Sequence, residues 1–320
     1  MTTTTPTINA AFQAYLLAQQ SRGVVPSYRG LLELTRRYLV QRLGDLALEQ
    51  VTPDLIRAWL VWLRGEEPAA AQAAPSSARG KALSSASVDV HYRNLKAFLT
   101  WCEDEELLPR SPMRKIKRPR VTSTLPDVLT ESESLTLLEK VRTDGDKHAH
   151  RDYCIILFFL DTGVRLAELC GLLVSEVNLE GGWARVLGKG RKERLVPLGI
   201  ELRRHLAKYL LKDRRPVAGE QALFLNEDGL RFEAQGVRTM VLRSLRDYVP
   251  RKLSKSGPHT LRHTFATLNL RATRDMKGTS LILGHSTTRT TERYLHLVGA
   301  DVLRNAEGSP MDALMRGKTG

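Results

Sequence analysis

Four prolines and six cationic side chains, with no carboxylate among them, fall between Pro109 and Pro126. Proline lacks the backbone N–H that a helix interior or a central strand needs, so this run cannot lie inside a regular element. It predicts a boundary. The chain has 320 residues, enough for two units that each bury their own core. The expected division is 1–110, a basic linker at 111–127, and 128–320.

The first part reads as helices, because apolar residues recur at helical spacing in Ala10–Gln20, Tyr28–Arg42 and Pro53–Leu63. Thr52 before Pro53 supplies a hydroxyl cap and a proline at the first helical position. A fourth helix is predicted over Ser87–Glu106, with Val90, Leu95, Phe98, Leu99 and Trp101 on its apolar side and Arg93 and Lys96 on its polar side. The Ala-, Ser- and Pro-rich stretch Glu67–Ser85 reads as a loop. In the second part Thr130 can cap a helix through Val141. An apolar helix follows at Tyr153–Leu160, then a turn at Asp161, Thr162 and Gly163, then a helix starting near Arg165. Alternating runs at Trp183–Leu187 and Glu193–Leu198 predict a β-hairpin, and the chain from Glu201 is mostly helical. The expected fold class is mainly α, with one small antiparallel hairpin.

Charge narrows the partner. The balance of 49 Lys and Arg against 35 Asp and Glu gives +14, which favours a polyanion first and an acidic lipid surface second. The most apolar region, Cys154 to Val174, is interrupted by Asp161, Arg165 and Glu168, too soon for a membrane span. The N-terminal MTTTTPTINA has no signal-peptide core. Cys102, Cys154 and Cys170 lack metal-ligand spacing, so buried thiols in a reducing cytoplasm are expected, without a disulfide.

Six residues stand out in order along the second part: Arg165, Lys189, His259, Arg262, His285 and Tyr294. Cationic donors around one phenol suit phosphodiester chemistry, since attack on phosphorus builds negative charge that preorganised donors stabilise. Each has a plainer reading too. Arg165 in TGVRLAEL can be a structural ion pair with Glu168, three residues on, although a carboxylate behind an arginine would also lock its fork toward a phosphate. Lys189, between Gly188 and Gly190, sits at a hairpin tip where lysines commonly serve solubility, or it can act as a general acid. In PHTLRHTFATL, His259 and Arg262 share a helix face. His259 and His263 could form half a zinc site, but the glutamate of HExxH is absent and Arg262 lies between them. His285 and Tyr294 in LGHSTTRTTERYLHL would lie roughly 13 Å apart along one helix. Gly284 can end the first helix and Ser286 or Thr287 can start another, which brings them nearer. The threonine-rich start of that second helix predicts a mobile Tyr294 segment. Tyr294 can also be an ordinary half-buried phenol.

Together, TGVRLAEL, LGKGRKERLVPL, HTLRHTFAT and LGHSTTRTTERY resemble, in order, the signature of the tyrosine recombinase or phage integrase family, close to its Xer-type members. The resemblance implies a helical, SAM-like core-DNA-binding domain followed by a mixed catalytic domain. It implies a site-specific recombinase that breaks and rejoins DNA through a 3′-phosphotyrosyl link on Tyr294 and exchanges strands through a Holliday junction. Arg165 and Arg262 would clamp the phosphate, Lys189 would protonate the leaving oxygen, His259 would move the Tyr294 proton, and His285 would hydrogen-bond the phosphate. Glu168 and His263 are supporting residues. Double-stranded DNA with inverted-repeat core sites is the implied substrate, handled by a homotetramer or a heterotetramer with a related recombinase. The tail at about 297–320 would dock between protomers. No cofactor, metal or membrane is implied, and the place of action is the cytoplasm, on the nucleoid. Arg93, Lys96, Arg114, Lys115, Lys117 and Arg118 are the expected DNA contacts outside the pocket. Two other functions share this pocket or fold: DNA relaxation by a type IB topoisomerase-like enzyme, and a catalytically inactive DNA-binding regulator. One departure from the family pattern is NLRATRDMKGT, Asn269–Thr279, which lacks a glycine-rich turn.

Overall fold

The computed structural model describes residues 5–66, 82–121, 126–188, 192–254 and 256–284, together with Thr291 and Tyr294. The chain divides into two compact units, Met1–Thr124 and Leu125–Gly320.

In the first unit, α1 (Ile8–Ser21), α2 (Pro26–Leu43), α3 (Pro53–Arg64) and α4 (Ser85–Asp104) form a helical bundle. Thr52 accepts from the Leu55 amide at 3.3 Å with Pro53 following it, and Ser84 caps α4 by accepting from Ser87 at 3.2 Å. These hydroxyls satisfy amides that a helix start leaves unpaired. Phe12 stacks on Phe98 with centroids 4.0 Å apart, inside a core that also holds Ile8, Leu32, Trp59 and Leu95. A buried polar bridge fixes α2 to α4. His91 Nδ1 lies 2.9 Å from the Thr35 hydroxyl, which also accepts from Asn94 at 3.1 Å. Such a bridge specifies one packing because an unpaired member would be costly. Residues 67–81 of the expected Glu67–Ser85 loop lie outside the described residues, and its end is already the start of α4, with Ser84 as cap and Ser85 as first helical residue; Gly65 closes α3 in the left-handed region.

The described part of the basic stretch is packed rather than loose. Ser111 caps a short 3-10 turn at Pro112–Lys115, Met113 and Ile116 are buried in the first unit's core, and the Tyr92 hydroxyl donates to the Ile116 carbonyl at 3.0 Å. Its apolar residues decide its place, while the cations point outward.

The second unit opens with α5 (Glu131–Thr143), started by a reciprocal Thr130–Glu133 cap. Helix α6 (Ala149–Thr162) is the central element and packs against α5, α8 (Ile200–Lys208) and α10 (Pro258–Thr273). Its buried Cys154, Ile155, Phe158 and Phe159 explain why this stretch reads as the most apolar in the chain. After α7 (Leu166–Gly171) comes an antiparallel sheet, β1 (Val177–Asn178), β2 (Trp183–Leu187) and β3 (Glu193–Pro197), in that order. The hairpin register sets Ala184 opposite Val196 and Leu187 opposite Glu193. Two-residue β1 is too short to show a period-2 pattern, which is why the sequence reading holds two strands rather than three. Helix α9 (Ala234–Tyr248) precedes α10, and α11 (Met276–Leu283) follows it.

The turn without a glycine is built from other residues. Arg274 takes the left-handed conformation, φ 54°, at the end of α10, and Asp275 caps α11 by accepting from Gly278 at 2.8 Å. The cap offsets the strain of a non-glycine residue there. No helix among the described residues is long and apolar enough to cross a membrane. Cys102 and Cys154 are buried, Cys170 is half-buried, and burial raises the pKa of all three thiols.

Candidate active site

The site is organised by the turn between α6 and α7. Gly163 ends α6 with φ 62°, and a Cβ there would lie 2.2 Å from Phe265 Cδ1 and 2.8 Å from Leu283 Cδ2. Only glycine fits, on both conformational and steric grounds. We expect Gly163→Ala to destabilise the protein by about 3 kcal/mol, from the left-handed strain and the overpacking together. Thermal melting should show a fall of roughly 10 °C; an unchanged midpoint would mean that Phe265 and Leu283 yield freely.

Arg262, on α10, is 4% exposed and reads both sides of that turn. It donates from Nη1 to the Gly163 carbonyl at 2.5 Å and from Nη2 to the Leu283 carbonyl at 2.7 Å. Burial, helped by the Arg165 charge, lowers its pKa to about 10, so it remains a cation at neutral pH. A buried guanidinium is thus fixed between the α6–α7 turn and the end of α11.

Arg165 caps α7 at its N-terminus. Its amide donates to Glu168 Oε2 at 2.7 Å, its Nη1 to Glu168 Oε1 at 2.7 Å, and its Nη2 to the Gly284 carbonyl at 3.2 Å. The Glu168 side chain is 3% exposed against 34% for Arg165, so the carboxylate stands behind the arginine. Burial alone would raise the Glu168 pKa. Hydrogen bonds from Arg194, from the Arg165 amide and from the Arg165 guanidinium outweigh it and hold the carboxyl down at about 2. A pKa depressed in the folded state contributes stability that is present above the ordinary carboxylate range and is lost as pH falls toward 2. Wild type should therefore exceed Glu168→Gln by on the order of 3 kcal/mol at pH 7. The gap should narrow steadily in urea unfolding between about pH 4.5 and 2; a gap constant across that window would assign the loss to packing.

His259 lies one turn ahead of Arg262, exposed at the start of α10. Crowding on its protein side and the charges of Arg262, Arg165 and Arg238 lower its pKa, which favours the neutral ring at pH 7. A neutral imidazole can take or give a proton. Arg238, on α9, is a cation near the pocket that no motif had marked.

Tyr294 is 1% exposed and packs with Phe265, Ala266, Leu270 and Leu283. Its hydroxyl shares a 2.7 Å hydrogen bond with His263 Nδ1, and its amide donates to the Thr291 carbonyl at 2.9 Å. The Arg262 guanidinium feels its oxygen electrostatically. The structure thus gathers Arg165, Glu168, His259, Arg262, His263 and Tyr294. Lys189 and His285, the other threonines at the start of the Tyr294 segment (Thr287, Thr288 and Thr290) and the tail at 297–320 lie outside the described residues, while Thr291 is buried. The hairpin strands and Gly284, which flank Lys189 and His285, are described. The rings of His259 and His263 are 6.3 Å apart, and no group of three metal-ligating side chains occurs among the described residues.

Arg194 was missed by the motif reading. It donates to both Glu168 oxygens at 2.8 Å and from Nε to the Ile282 carbonyl at 2.8 Å. The available signal was alternation: Arg194 shares its β3 face with buried Val196, and an inward-facing cation demands a partner.

Outside the pocket, Arg93 and Lys96 lie on the exposed face of α4 and line an open cleft of 570 Å³ with Tyr15, Tyr28 and Trp101. Asp89, 4% exposed, receives both prongs of Arg118 at 2.6 and 2.8 Å and pairs with Arg93 at 3.2 Å. Glu103 pairs with Arg114 at 2.6 Å. Lys115 and Lys117 are exposed.

One buried and one half-exposed guanidinium near a tyrosine, on a helical scaffold with one small sheet, define an enzyme built for phosphoryl transfer. The chain belongs to the phage integrase family and is a tyrosine site-specific recombinase; the profile of that family matches residues 127–299. It is 31% identical over 298 residues to tyrosine recombinase XerC of Mycobacterium sp. (strain JLS), covering 91% of this chain and 94% of that one. Against tyrosine recombinase XerC of Mycobacterium tuberculosis (strain ATCC 25177 / H37Ra) it is 32% identical over 299 residues, covering 90% and 93%. In fold it resembles XerH site-specific recombinase bound to palindromic difH substrate in a post-cleavage complex, with TM-score 0.73, 20% identity, and 92% and 84% of the two chains covered. A lambda integrase tetramer bound to a Holliday junction gives TM-score 0.72 at 16% identity, covering 91% and 78%.

Proposed function

We propose that this recombinase cuts double-stranded DNA at inverted-repeat core sites with Tyr294 as nucleophile. The Tyr294 oxygen bonds to the scissile phosphorus, the bond to the 5′ oxygen breaks, and a 3′-phosphotyrosyl link forms. The 5′-hydroxyl of the partner strand then attacks that phosphorus and releases Tyr294, so one phosphoester replaces another and neither ATP nor a metal is consumed. Arg165 and Arg262 hold the non-bridging oxygens, His259 moves the proton of Tyr294, Lys189 supplies one to the leaving oxygen, and His285 donates to the phosphate. Glu168 and His263 support the two sides of the pocket. Carrying this reading is the position of Arg262, whose one guanidinium ties the turn before Arg165 to the end of the helix before His285.

Four protomers act together on two duplexes, with the 297–320 tail passing between them and a Holliday junction as intermediate. The DNA-bound fold relatives support this. The first unit serves as the core-binding domain, with 128–320 as the catalytic one. The enzyme acts in the cytoplasm on nucleoid DNA. Arg93, Lys96, Arg114, Lys115, Lys117 and Arg118 face phosphates. Because Glu103 and Asp89 already neutralise Arg114 and Arg118, Lys115 and Lys117 carry the greater share of the salt dependence. Replacing those two lysines by alanine should flatten the plot of log affinity against log salt by about 2, and an unaltered slope would make the segment a spacer.

The test is a pair of duplexes that each carry the core site. Recombinant products and four-way junctions are expected from wild type. Catalytic relaxation of a supercoiled plasmid lacking the site, by a monomer, would instead identify a topoisomerase. Binding without any strand cleavage would identify a regulator.

A further inference from the structure

Glu168 is shared by two arginines, and the sharing is uneven. Its Oε1 accepts from Arg165 Nη1 at 2.7 Å and Arg194 Nη1 at 2.8 Å, while Oε2 accepts from the Arg165 amide at 2.7 Å and Arg194 Nη2 at 2.8 Å. Arg194 therefore holds the two-pronged grip that a lone carboxylate offers an arginine. Arg165 is left with an end-on contact from Nη1 to the carboxylate, although it is the more exposed of the two, 34% against 15%. If Arg194 were absent, Arg165 could rotate into the vacated bidentate position and turn its edge away from the pocket.

Arg194 is itself fixed at its other end. Its Nε donates to the Ile282 carbonyl at 2.8 Å, and a Cβ on Gly284, where φ is 63°, would lie 3.0 Å from its Cζ. The guanidinium thus lies flat against a turn that only glycine can make. Arg165 Nη2 reaches the Gly284 carbonyl of the same turn. Strand β3, helix α7 and the end of α11 meet at one carboxylate and one planar cation, a rigid support for a side chain that must aim at a phosphate.

We propose that Arg194 is a positioning residue for strand cleavage: by occupying the bidentate face of Glu168 and the end of α11, it keeps the guanidinium of Arg165 turned toward the scissile phosphate. The proposal rests on the reading of Arg165 as a phosphate clamp.

The full-length protein is tested by single-turnover cleavage of a nicked suicide duplex at saturating protein. Arg194→Gln should lower the rate constant about 100-fold, the scale expected of a small misplacement of a catalytic group. DNA affinity and the final yield of covalent adduct should stay near wild type. Arg194→Lys keeps the charge but not the fork, so it should remain at least about 10-fold slow; it is read alone if the glutamine variant does not fold. The double variant Arg194→Gln, Glu168→Gln should be no slower than the slower single variant, because both act through Arg165. A rate within twofold of wild type, a loss confined to adduct yield or melting temperature, or rate effects that multiply in the double variant would each overturn the proposal. Failure of wild type to form any adduct would instead count against the clamp reading itself.

Discussion

Tyr294→Phe should form no covalent adduct with a nicked duplex, a loss beyond about 10³-fold in cleavage, while DNA binding persists. The substitution removes one oxygen and leaves the ring to pack as before against Phe265, Ala266, Leu270 and Leu283. What disappears besides the nucleophile is the hydrogen bond with His263. One such bond contributes about 1 kcal/mol, so melting should change little. Phenylalanine therefore separates chemistry from folding better than alanine, which would also leave a cavity. Peptide mapping of the wild-type adduct completes the experiment, since a link on any other side chain would reassign the nucleophile. Any adduct with Tyr294→Phe would do the same.

Arg262→Ala should lose both cleavage and stability. One preorganised donor on a developing charge is typically worth about 10²–10³ in rate, and Arg262 presents a whole guanidinium from a site that is 4% exposed. Its removal also leaves the Gly163 and Leu283 carbonyls without their donors, at a cost of about 3 kcal/mol. Arg262→Lys is the sharper probe. A lysine cannot span both carbonyls, and the burial that lowers Arg262 to about 10 acts on a group whose ordinary value is already near 10.4. The same burial would push the lysine below that value, so cleavage by Arg262→Lys should weaken further as pH rises toward 10, where wild type holds its charge. A variant with wild-type cleavage at every pH would show that Arg262 supports only the turn.

The helices of both units and the hairpin strands were legible because their signals are local. Thr52–Pro53 and Thr130–Glu133 announce helix starts through a side chain reaching its own next turn, and the structure places caps there. The order of TGVRLAEL, LGKGRKERLVPL, HTLRHTFAT and LGHSTTRTTERY was enough to name the chemistry and the residues to examine. Arg165 with Glu168 was readable too, since three residues on a helix start decide that contact. The basic stretch after Pro109 was harder. Its composition speaks of solvent, yet Met113 and Ile116 settle in a core supplied by residues far along the chain. Strand β1 is too short to announce itself, and the left-handed Arg274 stands where glycine is the usual choice.

By itself the sequence determined the helices, the hairpin and the inventory of cations around a tyrosine, since caps, periodicity and motif spacing act over a few residues. Only the tertiary structure decided which of those groups touch. It set His263 rather than His259 on the Tyr294 hydroxyl, put Arg262 between two carbonyls from separate turns, and drew Arg194 from a sheet onto the carboxylate behind Arg165. Those contacts join residues 21 to 99 positions apart, and such pairs are fixed by how α6, α10, α11 and β3 pack rather than by any local preference.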